Sequence, residues 1–144
     1  MQTAIYVPTK NDYPEMAEVW EASVRATHLF LSEEYLLHIK SLLYEIFDML
    51  KLYCISHNGN ITGIMGLSDD KIEMLFIHPD AMGKGLGKKL LLFAVNEKGI
   101  KKVDVNEQNE PATAFYKHMG FEVISRAETD SIGKPHPILA MQKP

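Results

Sequence analysis

The chain has 144 residues, 46% of them hydrophobic, and a formal net charge of −4. That length suits one domain with a full core, so residues 1–144 are expected to form a single domain. The acidic balance argues against a nucleic-acid footprint, the lone cysteine cannot form an internal disulfide or a Cys-rich metal site, and no apolar run is long enough to cross a membrane. With no signal peptide in view, the expectation is a soluble protein of a reducing cytoplasm.

In chain order, Gln2 to Val7 reads as an edge-length strand closed by Pro8. Asn11 or Asp12 can cap a helix with Pro14 in its first turn, and Met16, Val19, Trp20, Ser23 and Val24 recur at helical spacing. The tract Ser23 to Leu31 is expected to link to a second helix capped by Ser32. Its apolar stripe is Leu36, Ile39, Leu42, Leu43, Ile46, Phe47 and Leu50. Lys51 to His57 and Asn60 to Leu67 are strands joined by Asn58-Gly59, a strong two-residue hairpin signal. Cys54 lies in the first of them and reads as core. Asp69-Asp70 turns the chain into a fourth strand, Ile72 to His78, which Pro79 stops for want of a backbone donor. A glycine loop and a helix ending at Gly99 follow, then a fifth strand, Lys102 to Asn106. Asn109 or Glu110 starts the last helix, with Pro111 in its first turn and Gly120 ending it. Phe121 to Arg126 and Pro137 to Met141 are the closing strands, separated by a Gly133-Lys-Pro135 turn.

The chemistry-bearing stretch is strand, glycine loop, helix: Ile72 to Pro79, Asp80 to Gly87, Lys88 to Val95. A helix entrance carries unpaired N–H groups and the positive end of the helix dipole. Gly83, Gly85 and Gly87 leave that backbone free of Cβ atoms, so a diphosphate can sit directly on it, with Lys84 and Lys88 adding charge. A nucleoside-triphosphate loop would need Gly five positions before Gly87 and Ser or Thr after Lys88, but Met82 and Lys89 stand there. A dinucleotide fingerprint would need Gly-x-Gly-x-x-Gly near the start of a βαβ unit, and the spacing here is Gly83-x-Gly85-x-Gly87 past mid-chain.

The run Met82-Gly-Lys-Gly-Leu-Gly87 resembles the acyl-CoA diphosphate loop of the GNAT acetyltransferases. A second stretch, Asn106 to Asn109 followed by Glu110-Pro-Ala-Thr-Ala-Phe-Tyr116 and Gly120-Phe121, is similar to that family's second signature. The element order matches over nearly the whole chain. Ala26 to Leu31 and Gly133 to Ile138 resemble a small bacterial single-domain subgroup. The resemblance implies an α/β (α+β) GNAT fold: a mixed, mostly antiparallel sheet of about seven strands with four helices, splayed between strands 4 and 5. It implies acetyl-CoA as cosubstrate, and no His-x-x-x-His or Cys-His set in the chain suggests a metal.

By the same resemblance, amides of Met82, Gly83, Lys84, Gly85, Leu86 and Gly87 hold the diphosphate, with Lys88 beside them. The segment Leu75-Phe76-Ile77 pairs with the pantetheine arm as a strand would, and Asn109 and Asn106 contact that arm. Met82 departs from the family's Arg or Gln and loses a side-chain contact. Tyr116, beside Phe115, matches the family's general acid for the CoA thiolate: a phenol stays protonated at neutral pH and can donate. For the general base the candidates are Glu73, Asp104, His28 or a water chain. The expected reaction is direct acetyl transfer to a primary amine in a ternary complex. The acceptor is a small molecule or a peptide or protein amine, and the state monomer or homodimer. Its site is expected around Val24–Tyr35, Ser68–Asp70 and Ser131–Pro137. Readings of a different class are a non-catalytic CoA-binding sensor or partner module and a nucleotide-binding regulator.

Overall fold

The computed structural model describes residues 3–144, so Gln2, expected to open the first strand, lies outside the described residues. The order is β1 (Thr3–Tyr6), α1 (Tyr13–Thr27), α2 (Glu33–Asp48), β2 (Lys51–His57), β3 (Asn60–Ser68), β4 (Lys71–Ile77), α3 (Leu86–Lys98), β5 (Lys102–Asn106), α4 (Glu110–His118), β6 (Glu122–Ala127) and β7 (Ile138–Gln142). The expected sequence of elements is present. Several strand ends shift by a residue, and α1 runs further than expected, to Thr27, so half of the tract read as a link is helix, and its C-terminal turn lines the cavity described below.

Local chemistry explains the ends. The Ser32 side chain accepts from the Tyr35 N–H at 3.1 Å and starts α2. The Asn58-Gly59 turn has φ of 54° and 86°, the left-handed pair a two-residue hairpin needs. Gly99, at φ 66°, ends α3.

The seven strands form one sheet in the order β1-β2-β3-β4-β5-β7-β6. Strand alternation builds a core on each face. Leu52, Cys54, Ile61 and Ile64 face α1 and α2, where Met16, Trp20, Leu43 and Phe47 pack on them. Ile55, Met65, Leu67 and Val103 face α3 and α4, under Leu90, Leu91 and Tyr116. The helices thus cover both faces, and burying both of them is the main stabilising term.

The strand β4 is irregular on both of its edges. Leu67 pairs with Ile72 and Gly66 with Met74, so Glu73 is an extra residue, a β-bulge. The parallel pairing of β4 with β5 stops at the same place, after Lys71↔Lys102 and Ile72↔Val103. Beyond Ile72 the two strands diverge, and the sheet has a gap along its middle.

Gly63 lies beside this gap. An added Cβ there would stand 2.6 Å from Ile77 Cδ1 and 2.8 Å from Ile55 Cγ2, both on stiff β-branched side chains. Gly63→Ala is expected to destabilise the fold by about 1–3 kcal/mol, as overpacking does. Urea denaturation, read as a shift in midpoint at unchanged slope, checks it.

Candidate functional site

A cavity of about 430 Å³ occupies the gap. Its lining comes from both faces of the sheet: Ser23, Thr27 and His28 from the α1 side, Ala112, Phe115 and Tyr116 from α4 on the other. Leu75, Phe76 and Ile77 of the diverging strand form a wall between them. Only the missing β4–β5 pairing lets one cavity reach helices on opposite faces.

At the helix entrance, Gly83 and Gly85 adopt φ of 80° and 78°, and a Cβ at either would meet nothing within 4 Å. Those positions need glycine for conformation, and the space above them is open. Gly87 is already helical, where a Cβ would make ordinary contact with Ile77 at 3.6 Å. Met82, Leu86 and Lys88 line the same end; Lys84 does not. This is bare main chain at the entrance of a 13-residue helix, a geometry that suits an anion.

Tyr116 is 5% exposed, edge-on to Phe115 at 5.3 Å and to Phe121 at 5.8 Å. Its hydroxyl has no hydrogen-bond partner among the described residues, yet no buried side-chain oxygen among them is sealed off unpaired. The hydroxyl therefore opens on the cavity that Tyr116 lines. Burial pushes its ionisation above a phenol's usual range, so it remains a donor. Asn109 caps α4, accepting from the Ala112 N–H at 3.3 Å, and also lines the cavity. The cap uses its carbonyl and leaves its amide NH₂ as a donor toward a ligand.

His28 lies at the C-terminal end of α1 and is 8% exposed, with Phe30 at 5.3 Å and Phe76 at 6.1 Å. Arg25 holds this end in place: it donates twice to Glu33 at 2.7 Å and once to Glu21 at 2.9 Å, tying α1 to α2. Burial lowers the His28 pKa to about 4. The unfolded ring takes a proton near pH 6.5, whereas the folded one stays neutral. Stability is therefore expected to fall as pH drops from about 6.5 to about 4, by about 3 kcal/mol in all. Unfolding midpoints of the parent and His28→Gln across that window check it, since the variant should lose this part of the slope.

The other candidate bases do not reach the cavity. Glu73, the bulge residue, is exposed. Asp104 accepts from Lys71 at 3.0 Å. Alternation explains Asp104 and Asn106: Val103 and Val105 face the α3/α4 core, so both polar residues point toward α2. Asn106 lines a second cavity of about 310 Å³ with Tyr35, Ile39, Asp130 and His136. There the Tyr35 hydroxyl donates to Asp130, Asp130 accepts from the N–H groups of Ile132 and Lys134, and His136 stacks on Tyr35 at 5.1 Å. The 131–137 loop thus sits against α2, and Phe30 stands between His28 of the first cavity and His136 of the second. The turn at Ser68–Asp70 lines neither cavity; Asp70 pairs with Lys102 at 3.1 Å, at the closed end of the β4–β5 pair.

Thr27 was expected near the acceptor only as part of the Val24–Tyr35 tract, whereas Ser23, Ala81, Pro111 and Ala112 were missed as lining residues. Ser23 and Ala112 were legible only as members of apolar helix stripes. Among the described residues no group of three or more His, Cys, Asp or Glu could hold a metal ion, and no helix is long and apolar enough to cross a membrane.

The acetyltransferase (GNAT) domain model matches residues 49–123. The chain is 39% identical over 126 residues to the peptidyl-lysine N-acetyltransferase YjaB of Escherichia coli (strain K12), covering 87% of this chain and 86% of that one. The solution structure of apo-form YjaB from Escherichia coli superposes with a TM-score of 0.91 at 36% identity, covering 99% of this chain and 97% of that one. The PaiA N-acetyltransferase from Thermoplasma acidophilum, solved in complex with coenzyme A, has the same fold, with a TM-score of 0.78 at 23% identity over 100% of both chains.

Proposed function

The chain belongs to the GNAT acetyltransferases, and from that premise we propose that it moves the acetyl group of acetyl-CoA directly onto a primary amine, a lysine side chain of a peptide or protein. One observation carries the reading: a single cavity crosses the sheet, with an anion cradle at one end and a polar helix terminus at the other. Two substrates can thus meet inside the sheet from opposite faces, as a ternary complex requires.

The residues divide the labour. Amides from Met82 to Gly87 hold the diphosphate, with Lys88 adjacent. The main chain of Leu75 and Ile77, free of β5 past Ile72, pairs with the pantetheine amides. Asn109 contributes its amide. The cavity wall excludes water around the thioester, which strengthens each polar contact inside it. Tyr116 gives its proton to the departing sulfur. No covalent relay is needed: Cys54 is fully buried in the α1/α2 core, away from the cavity, and burial pushes its thiol up to about 12. A lysine acceptor is the choice because the YjaB relatives, alike over most of their length, are peptidyl-lysine enzymes.

The test is acetyl-CoA with a library of lysine-containing peptides, read by mass spectrometry and by thiol release. Acetylated lysine above the uncatalysed rate is the expected result. Acetyl-CoA that neither raises the melting temperature nor turns over on any peptide or free amine overturns the reading.

A further inference from the structure

We propose that Thr27 locks the His28 imidazole in the tautomer that bares Nε2 to the cavity, and that this nitrogen takes the proton lost by the acceptor amine. The second half rests on the acyl-transfer reading; the first does not.

The hydroxyl of Thr27 settles the tautomer. Thr27 Oγ1 lies 2.8 Å from the carbonyl oxygen of Ser23 and 2.8 Å from His28 Nδ1. A carbonyl only accepts, so the one hydroxyl hydrogen goes to Ser23. Oγ1 then has lone pairs alone to offer, and the second contact requires Nδ1–H as donor. A neutral ring protonated at Nδ1 carries its lone pair on Nε2. Among the described residues Nε2 has no hydrogen-bond partner, and no buried side-chain nitrogen is both sealed off and unpaired. It must therefore touch open space, and the space that His28 lines is the transfer cavity. Ser23, 3% exposed, lines the same corner, and no hydrogen bond from the described residues engages its hydroxyl.

Among the described residues no carboxylate or cation packs on the ring. Phe30 and Phe76 flank it, Arg25 turns away to Glu21 and Glu33, and the ionisable groups sharing the cavity are Tyr116 and Lys88. Burial alone keeps the imidazole neutral across the physiological range, so the Nε2 lone pair is free. In the transfer, the amine nitrogen bonds to the acyl carbon and the carbon–sulfur bond breaks. One N–H proton passes to Nε2, and the Tyr116 proton passes to sulfur. His28 then releases its proton to water and Tyr116 regains one, so both residues end neutral. The same burial that keeps the ring neutral drives the release.

The first measurement needs no substrate: nitrogen-15 NMR of the histidines in the parent chain. His28 is expected as the Nδ1–H tautomer. Thr27→Val, which keeps the shape but not the acceptor, should lose that signature, and Thr27→Ser should keep it. The second is steady-state transfer with saturating acetyl-CoA. His28→Asn is expected to lower kcat about 100-fold and Thr27→Val roughly 10-fold, with KM for acetyl-CoA little changed and Thr27→Ser restoring most of the rate. An Nε2–H signal in the parent overturns the proposal even if Thr27→Val fails to fold. So does His28→Asn at the parent's kcat. A parent chain with the expected tautomer but no transfer on any amine refutes the proton-acceptor role and the acyl-transfer reading together, and leaves the Thr27 lock standing.

Discussion

Tyr116→Phe is expected to turn over about 100-fold more slowly than the parent chain while binding acetyl-CoA as well, because general-acid catalysis is worth about that factor or more. The substitution is clean here. The ring stays between Phe115 and Phe121, so packing is kept. No hydrogen bond to the described residues is lost, since the hydroxyl faces the cavity without a partner among them. The melting temperature should hold, and so should its rise with acetyl-CoA. What disappears is the donor proposed to protonate the departing thiolate. Steady-state kinetics with an accepted amine decide the matter: an unchanged kcat would sink the assignment, and Tyr116 would then be a packing residue.

Gly85→Val and Gly83→Val are expected to raise KM for acetyl-CoA at least about 10-fold and to abolish its thermal shift, since each side chain would stand where the backbone should meet the diphosphate. Neither side chain's Cβ strikes the protein, because nothing lies within 4 Å of an added Cβ at either position. The folded chain bears only the left-handed strain at φ 80° and 78°, roughly 1–2 kcal/mol. Gly59→Val supplies the control. It imposes similar strain at φ 86°, in the β2–β3 hairpin away from the cavity, with equally open space around it. If Gly59→Val weakened acetyl-CoA binding as much as Gly85→Val, the loss would be one of stability and the cradle would be refuted.

Much of this was readable in the chain itself because its causes are local. The Ser32 and Asn109 caps, the Asn58-Gly59 turn and the glycine-rich helix entrance each depend on contacts a few residues apart, and residue type decides them. Alternation along β5 was equally plain, but not which face was which. That depends on β7 pairing with β5, Asn106 against Ile138, and on α2 lying across the face that Asn106 and Asp104 share. Only the tertiary structure sends Asn106 to the second cavity and occupies Asp104 with Lys71.

The same holds for the bulge at Glu73 and for the end of α1. A bulge is a mismatch between two strands and cannot be seen in either alone. The last turn of α1 is held by Arg25 reaching Glu33 across the helix junction, and it carries Thr27 and His28 to the cavity. The sequence by itself determined the elements, most of their ends and the bare glycine backbone at the entrance to α3, since each follows from propensity and near-neighbour hydrogen bonds. Tertiary structure alone decided which polar groups share one cavity, because that depends on pairings between residues far apart in the chain and on the gap where β4 and β5 part.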